Sequence, residues 1–144
     1  MSDRASRAFL DTNVLVYLFD HDEPAKQRRA RDIFEQAEPG ELALSAQVLS
    51  EFYLTVTRKL KSPLTPELTR QVIGWLGFLS VVSIDIALIE SAIQISRSAQ
   101  LSHLDALIVA AAAQAGCGLL LTEDLNDGQE IDSVRVENPF RDVD

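Results

Sequence analysis

Hydrophobic and polar residues follow two patterns along this chain, and the two patterns alternate from one end to the other. Short apolar runs predict strands, which cover residues 7–11, 41–44, 80–84, 118–121 and 133–136. Longer segments with helical periodicity cover residues 13–19, 24–38, 46–60, 65–78, 86–99 and 102–116. Strands that alternate with helices of this length predict an α/β domain with a parallel sheet and right-handed crossovers.

Two of the predicted helices carry clear local signals. Ser45 is a candidate N-cap, and Val48, Phe52 and Val56 recur four residues apart on one face of the helix that follows. The helix near the C-terminus is different, because residues 104–113 contain nine apolar residues and one acid. A helix that is apolar all round is expected to be buried.

The composition favours one folded domain in a reducing compartment. The chain has 144 residues, of which 47% are hydrophobic, so disorder is disfavoured and a sizeable core is expected. Its one cysteine cannot form an internal disulfide. No apolar run approaches the roughly 20 residues that a membrane helix needs, and no hydrophobic signal segment follows Met1. We therefore expect a cytoplasmic protein with no membrane partner.

Charge is distributed unevenly along the chain. The net charge is -9, which by itself disfavours a nucleic-acid partner. Residues 1–70 nevertheless carry ten Lys or Arg against eleven Asp or Glu, whereas residues 71–144 carry three against eleven. The basic residues cluster at 26–31 and 58–61, either as solvated helix faces or as a surface for RNA. The acidity lowers the expected affinity for DNA but does not exclude an RNA substrate.

Four carboxylates lie far apart in sequence, each near the start or end of a predicted element. Asp11 ends the first strand, and Glu51 lies one turn into the helix that follows the second. Asp105 is the only charge in the apolar helix, and Asp124 follows the strand at 118–121. Strand ends of an open α/β sheet converge on one crevice, so these residues can meet there. Four acids in one crevice would repel unless protonated or neutralised by a divalent metal, which predicts metal-dependent phosphodiester chemistry.

Each of these acids also has a structural interpretation. Ser102 and Asp105 have the spacing of a capping box, in which the acid accepts a hydrogen bond from a backbone N–H. Asp11 and Asp124 follow strands, where aspartate commonly forms turns. Glu51 lies just beyond the edge of an apolar helix face, where a glutamate is ordinarily solvated. A coincidence of four such acids is nevertheless harder to explain than one shared site.

Three uncharged residues beside these acids are candidates for supporting roles. The hydroxyl groups of Thr12 and Thr122 are suited to hold carboxylates or metal-bound waters. Asn13 is suited either to orient a phosphate or to cap the first helix, and both interpretations stay open.

With these residues identified, the chain resembles the PIN-domain ribonucleases, most closely the VapC-type toxins of prokaryotic toxin–antitoxin pairs. Four segments carry the resemblance over nearly the whole chain: FLDTNVL at 9–15, LSAQVLSEFY at 44–53, LSHLDALI at 101–108 and LTEDL at 121–125. His103 is a departure, because the family often has an aromatic residue near this position. NDG at 126–128 and NPF at 138–140 are similar to a close subgroup. One segment alone is weak evidence, but four in order are specific.

The resemblance implies a three-layer α/β/α PIN-like fold with a central parallel sheet, formed by residues 1–144 as a single PIN domain. It carries four acids over as one catalytic site that binds Mg²⁺ or Mn²⁺: Asp11, Glu51, Asp105 and Asp124. Asp127 is an alternative or a supplement at the fourth position. The resemblance also implies a homodimer and a cognate antitoxin whose tail blocks the active site, and no other cofactor is expected.

The predicted function is a metal-dependent endoribonuclease that hydrolyses RNA as the toxin of a type II toxin–antitoxin pair. Carboxylates suit hard cations such as Mg²⁺, and a bound ion would activate water against phosphorus, leaving 5′-phosphate and 3′-hydroxyl ends. The alternatives are a PIN-domain RNA-processing nuclease without a toxin role and a catalytically idle PIN-fold binding module. Two other classes fit less well. A receiver domain needs a late lysine, but the last is Lys61, and a haloacid dehalogenase-type phosphatase needs Asp where residue 13 is Asn.

Overall fold

The computed structural model describes residues 7–143, and this part of the chain contains six strands and six helices. The strands are β1 (Ala8–Leu10), β2 (Leu42–Ser45), β3 (Ser80–Val82), β4 (Leu119–Leu121), β5 (Glu130–Ile131) and β6 (Val134–Glu137). The helices are α1 (Thr12–Tyr17), α2 (Pro24–Gln36), α3 (Ala46–Arg58), α4 (Pro66–Leu76), α5 (Ile86–Ala99) and α6 (His103–Gln114). The segment before residue 7, where the sequence predicts no signal peptide, lies outside the described residues.

The strands form one six-stranded sheet in the order β3-β2-β1-β4-β6-β5. Every neighbouring pair is parallel except β5 and β6, which are antiparallel. Helices cover both sides of the sheet. The predicted three-layer α/β/α fold is therefore confirmed, with an antiparallel strand added at one edge.

That edge strand, β5, was missed by the sequence analysis. It has only two residues, too few to form a recognisable apolar run. β5 and β6 form a hairpin in which Ile131 pairs with Val134 across Asp132 and Ser133. The two turn residues have φ values of 51° and 66°, as a type I′ turn requires. Asp-Ser lacks the glycine that usually marks such a turn in a sequence, so the hairpin could not be recognised.

The other predicted elements all occur, with ends within two residues of the predicted ones. The side chain of Ser45 caps α3 by accepting a hydrogen bond from the backbone N–H of Val48. Val48, Phe52 and Val56 are fully buried, as their spacing predicts. None of the helices in the described residues has the length and apolar character needed to cross a membrane.

The core lies between the sheet and the helices that cover it. All three residues of β1 are buried, and so is every residue from Ala106 to Ala112 in α6. This confirms the expectation that α6, apolar all round, is buried. α5 packs against α6, whereas α1 packs against α2 and α3.

The strand order determines which acids meet. β1 and β4 are neighbours, and Leu10 lies opposite Leu121. Asp11 follows Leu10 directly, and its backbone N–H donates to the carbonyl of Leu121 at 3.1 Å. β2 lies on the other side of β1 and leads directly into α3, which carries Glu51. Residues more than a hundred positions apart in sequence therefore meet where the carboxyl ends of these parallel strands lie.

Candidate active site

Asp11 is the buried centre of the candidate site, with a relative exposure of 8%. It has extended backbone geometry and acts as the N-cap of α1, because its Oδ1 accepts from the backbone N–H of Thr12 at 2.7 Å. Its Oδ2 accepts from the hydroxyl of Thr122 at 2.8 Å. Asp11 therefore caps α1 through one carboxylate oxygen and binds Thr122 through the other.

Burial raises the pKa of the Asp11 carboxyl from 3.8 to about 6. The nearby carboxylates of Asp124 and Glu51 raise the pKa further, whereas the hydrogen bonds from Thr12 and Thr122 lower it. Burial and two neighbouring like charges destabilise the ionised form of a carboxylate relative to its protonated form. A cation bound beside it would reverse that balance.

This raised pKa predicts how stability changes with pH in the metal-free protein. The folded state binds a proton on Asp11 more tightly than the unfolded state does, so stability falls as pH rises from about 4 to about 6. With the pKa raised from 3.8 to about 6, the loss is roughly 3 kcal/mol from this group. The free energy of unfolding, measured with urea in EDTA at several pH values, should decline more steeply with rising pH for the wild type than for Asp11→Asn. An equal pH dependence in the two proteins would contradict the raised pKa of Asp11.

Glu51 lies beside Asp11 because α3 follows the neighbouring strand. Its Oε2 accepts from the hydroxyl of Thr12 at 2.9 Å, and its Oε1 accepts from Nε2 of Gln47 at 3.3 Å. The same amide donates to the carbonyl of Leu104 at 3.2 Å. Gln47 therefore connects Glu51 to the first turn of α6, where Asp105 lies. Glu51 is only partly exposed, so it differs from the ordinary solvated glutamate expected beside an apolar helix face.

Asp124 is held by Asn13, a residue of helix α1. Its Oδ2 accepts from Nδ2 of Asn13 at 3.1 Å, and the backbone N–H of Asp124 donates to the hydroxyl of Thr122 at 3.1 Å. Nδ2 of Asn13 also donates to this hydroxyl, at 3.4 Å. Asn13 is therefore not the cap of α1, since Asp11 occupies that position. The predicted use of Thr12 and Thr122 hydroxyls to hold carboxylates is confirmed.

Asp105 lies in the first turn of α6, and its carboxylate is the least engaged of the four. Ser102 caps the helix by accepting from the backbone N–H of Asp105 at 3.1 Å. Half of the predicted capping box is thus present. Within residues 7–143, the carboxylate of Asp105 forms no hydrogen bond or ion pair that would complete the box. Asp105 is only partly exposed, so its carboxylate is available to a ligand at the end of α6.

Asp127 has a different set of partners. Its Oδ1 accepts from the backbone N–H of Asn138 at 2.8 Å, and its Oδ2 accepts from Nη1 of Arg141 at 2.6 Å. The hydrogen bond from Asn138 and the Arg141 charge lower the pKa of the Asp127 carboxyl. Both oxygens therefore connect the loop after β4 to the C-terminal segment, which accounts for Asp127 without a metal.

Further polar residues border the site and were not recognised in the sequence. Tyr17, Lys26 and Glu123 bond to one another, and Tyr17 and Glu123 line a cavity of about 330 Å³ that Asn13 and Asp124 also line. One signal was available, because Asn13 and Tyr17 lie four residues apart and therefore share a face of α1. Lys26 was assigned only to a basic cluster.

The residues present fit a hard divalent cation by their chemistry. The ligand atoms on offer are carboxylate, hydroxyl and amide oxygens, which suit Mg²⁺ and Mn²⁺. Among residues 7–143, no salt bridge neutralises any of the four acids. Oδ1 of Asn13 is buried without a hydrogen-bond partner, which is costly unless a ligand or water satisfies it.

The side chains of the candidate acids are not arranged as a complete set of metal ligands within the described residues. Within the described residues, no three Asp, Glu, His or Cys side chains are already arranged to hold one metal ion. Asp11, Glu51 and Asp124 instead take hydrogen bonds from neutral donors, as expected for carboxylates that repel one another. Each carboxylate has two oxygens with two lone pairs apiece, so these hydrogen bonds leave acceptor capacity for a cation.

Comparison of the chain with known proteins identifies a matching family. The family model described as PIN domain matches residues 8–130. No curated protein sequence matches the chain. Among solved structures, a toxin–antitoxin complex from Klebsiella pneumoniae has 22% identity and a TM-score of 0.69, and the match covers 92% of this chain and 97% of that one.

Two further solved structures are similar to the same extent. DNA-bound VapBC from Salmonella typhimurium has 21% identity and a TM-score of 0.67, covering 92% of this chain and 98% of that one. VapC20 from Mycobacterium tuberculosis, a sarcin–ricin loop cleaving toxin, has 19% identity and a TM-score of 0.66, and the match covers 89% of this chain and 98% of that one. At such identities the likeness shows the fold. Because the family model covers most of its length, this chain belongs to the PIN-domain family.

Proposed function

We propose that this protein is a metal-dependent endoribonuclease and the toxin of a type II toxin–antitoxin pair. PIN-domain proteins of the VapC type are nucleases, and one observation in particular supports activity here. The buried carboxylate of Asp11 faces Glu51 and Asp124, and no salt bridge to a described residue neutralises any of the three. A buried carboxylate that faces like charges destabilises the folded protein. A catalytically idle binding module would gain no function in return.

The four acids would hold Mg²⁺ or Mn²⁺: Asp11, Glu51, Asp105 and Asp124. Such an ion supplies an activated water and stabilises charge at the phosphate and at the leaving oxygen. The chain's neutral residues set the geometry. The hydroxyls of Thr12 and Thr122 orient Glu51 and Asp11, and Asn13 orients Asp124 through its amide N–H. The unpartnered Oδ1 of Asn13 is then free to accept a hydrogen bond from a water molecule in the site.

Protein partners are the second part of the proposal. The similar solved structures include toxin–antitoxin complexes, which supports a cognate antitoxin for this chain. Two exposed apolar surfaces are suited to protein partners. Ile86, Ile89 and Ile93 form a stripe along α5 that fits the proposed homodimer. Trp75 and Phe78 are exposed and border a cavity of about 290 Å³, which suits a surface for a protein partner.

The experiment that tests the proposed function is cleavage of total cellular RNA by purified, antitoxin-free protein. Mg²⁺, Mn²⁺ and EDTA should be compared in parallel reactions. We expect discrete fragments with 5′-phosphate ends in the presence of metal and none in EDTA, because in the proposed mechanism the attacking water is activated by the bound ion. End-mapping of the fragments would identify the RNA target. We propose that the protein acts in the cytoplasm.

Two outcomes would argue against this function. Absence of cleavage by a folded sample with every metal would favour a binding role. Cleavage that continues in EDTA would contradict the metal-dependent mechanism. A gene for a small protein immediately upstream would favour the toxin role over RNA processing.

A further inference from the structure

A second polar cluster lies beside the acidic site, formed by Tyr17, Lys26 and Glu123. The hydroxyl of Tyr17 donates to Oε1 of Glu123 at 2.5 Å. Nζ of Lys26 donates to the Tyr17 oxygen at 3.2 Å and to Oε2 of Glu123 at 3.3 Å. Each carboxylate oxygen of Glu123 therefore has its own donor, and one donor is a cation. Such a charge-assisted arrangement restricts the orientation of the glutamate.

This cluster acts on the segment that carries a proposed metal ligand. Glu123 and Asp124 are consecutive residues directly after Thr122, so the backbone that orients one also orients the other. Asn13 and Tyr17 are four residues apart on one face of α1. Asn13 binds the carboxylate of Asp124, and Tyr17 binds that of Glu123. One helix face thus determines the positions of two successive acids.

The cluster also balances charge at the mouth of the site. Without Lys26, Glu123 would add an unpaired negative charge beside Asp124, and the two side chains would be pushed apart. The salt bridge between Lys26 and Glu123 removes that repulsion without placing a cation on the four acids. Only 24% of each of these two side chains is exposed, so the pair is less screened than a typical surface salt bridge.

From these contacts we propose that Tyr17 and Lys26 are positioning residues for metal binding. They hold Glu123 and, through the shared backbone, keep Asp124 in the orientation that a divalent cation requires. This inference rests on the proposed function, since it concerns the same metal site. Outer-shell partners of metal ligands are typically worth about 10–100-fold in metal affinity or activity.

The packing around Tyr17 makes a conservative test feasible. Its ring packs against Phe140 in an edge-on arrangement with centroids 4.8 Å apart, and Nζ of Lys26 lies 5.0 Å from its centroid. Tyr17→Phe therefore removes the hydroxyl and retains the packed ring. Tyr53 supplies a matched control, because it is the other tyrosine of the chain and lines a different cavity.

The test measures Mn²⁺ binding directly on the full chain without RNA, by electron paramagnetic resonance of the free ion. We expect Tyr17→Phe and Lys26→Met to weaken Mn²⁺ binding about tenfold or more. Lys26→Arg should retain most of the affinity, and Tyr53→Phe should match the wild type. In cleavage assays the two weakened variants should lose kcat with little change in KM for RNA, and excess Mn²⁺ should restore the rate. Circular dichroism and thermal unfolding should show that all variants fold.

Several outcomes would overturn the proposal. Wild-type Mn²⁺ affinity in both folded variants would show that the cluster only stabilises the fold. A rise in KM for RNA without a change in metal affinity would assign Lys26 to substrate contact instead. Failure of the wild type itself to bind Mn²⁺ would count against the metal-dependent function, and is therefore distinguishable from failure of this inference.

Discussion

Asp11→Asn is expected to abolish RNA cleavage while the protein remains folded. Asn is as good an N-cap as Asp, so the bond from the backbone N–H of Thr12, at 2.7 Å in the wild type, is retained. Under the proposed function, the substitution removes a negative charge from the centre of the metal site. Loss of outer-shell partners alone costs about 10–100-fold in metal sites, so loss of this central ligand should exceed 100-fold. Initial rates on a defined RNA at saturating Mn²⁺ provide the measurement.

The matched control is Asp142→Asn, which makes the same chemical change on a side chain that is 83% exposed. It should cleave at the wild-type rate. The metal-free Asp11→Asn protein should also be more stable than the wild type near pH 7.5, because a buried unpaired charge is gone. A folded Asp11→Asn variant with normal activity would refute the assignment of the active site.

Asp105→Asn should reduce cleavage about 100-fold with little change in stability, because its carboxylate bonds to none of the described residues and is proposed as a ligand of the ion. Ser102→Ala should do the opposite. It removes the cap of α6, in which the Ser102 hydroxyl accepts from the backbone N–H of Asp105, and should cost about 1 kcal/mol of stability. Its cleavage rate should stay within a few-fold of the wild type. Unfolding curves and initial rates for the two variants give the comparison.

This pair separates two interpretations of the same acid. If Asp105 serves mainly to complete a capping box, Asp105→Asn and Ser102→Ala will lose similar amounts of stability and retain activity together. If Asp105 is a metal ligand, only Asp105→Asn will lose activity, and its dependence on Mn²⁺ concentration will shift to higher values. Equal cleavage by wild type and a folded Asp105→Asn variant would remove Asp105 from the proposed site.

The fold was predictable because its strands and helices differ so clearly in periodicity. The burial of Val48, Phe52 and Val56 in α3 followed from their spacing, and the burial of α6 followed from its lack of any polar face. The two-residue strand β5 was not predictable, since a strand of that length exists only through pairing with β6. Its turn residues, Asp132 and Ser133, adopt positive φ without the glycine that would have revealed them.

The sequence singled out the candidate acids but not the environment of each one, and their role in metal binding stays a prediction. The four acids stood out because each lies at the start or end of an element. Their different environments could not be anticipated from those positions. Asp11 is buried, Asp124 is held by Asn13, and Asp127 pairs with Arg141. Asn13 is 111 residues from Asp124 and meets it because β1 and β4 are neighbours, whereas the partners of Asp127 come from the C-terminal segment.

Local spacing and composition were thus sufficient for the α/β class and the buried helix, and they singled out the four acids as candidates. The α/β class and the buried helix follow from the periodicity of apolar residues and from capping, which involve residues close together in the chain. The tertiary structure alone decided that Thr122 donates to Asp11 across the β1–β4 pair. It likewise brought Lys26 to Glu123, 97 residues away in sequence. Burial of Asp11 and its raised pKa follow from that assembly, because desolvation depends on what packs around a carboxylate and not on the residues beside it in the chain.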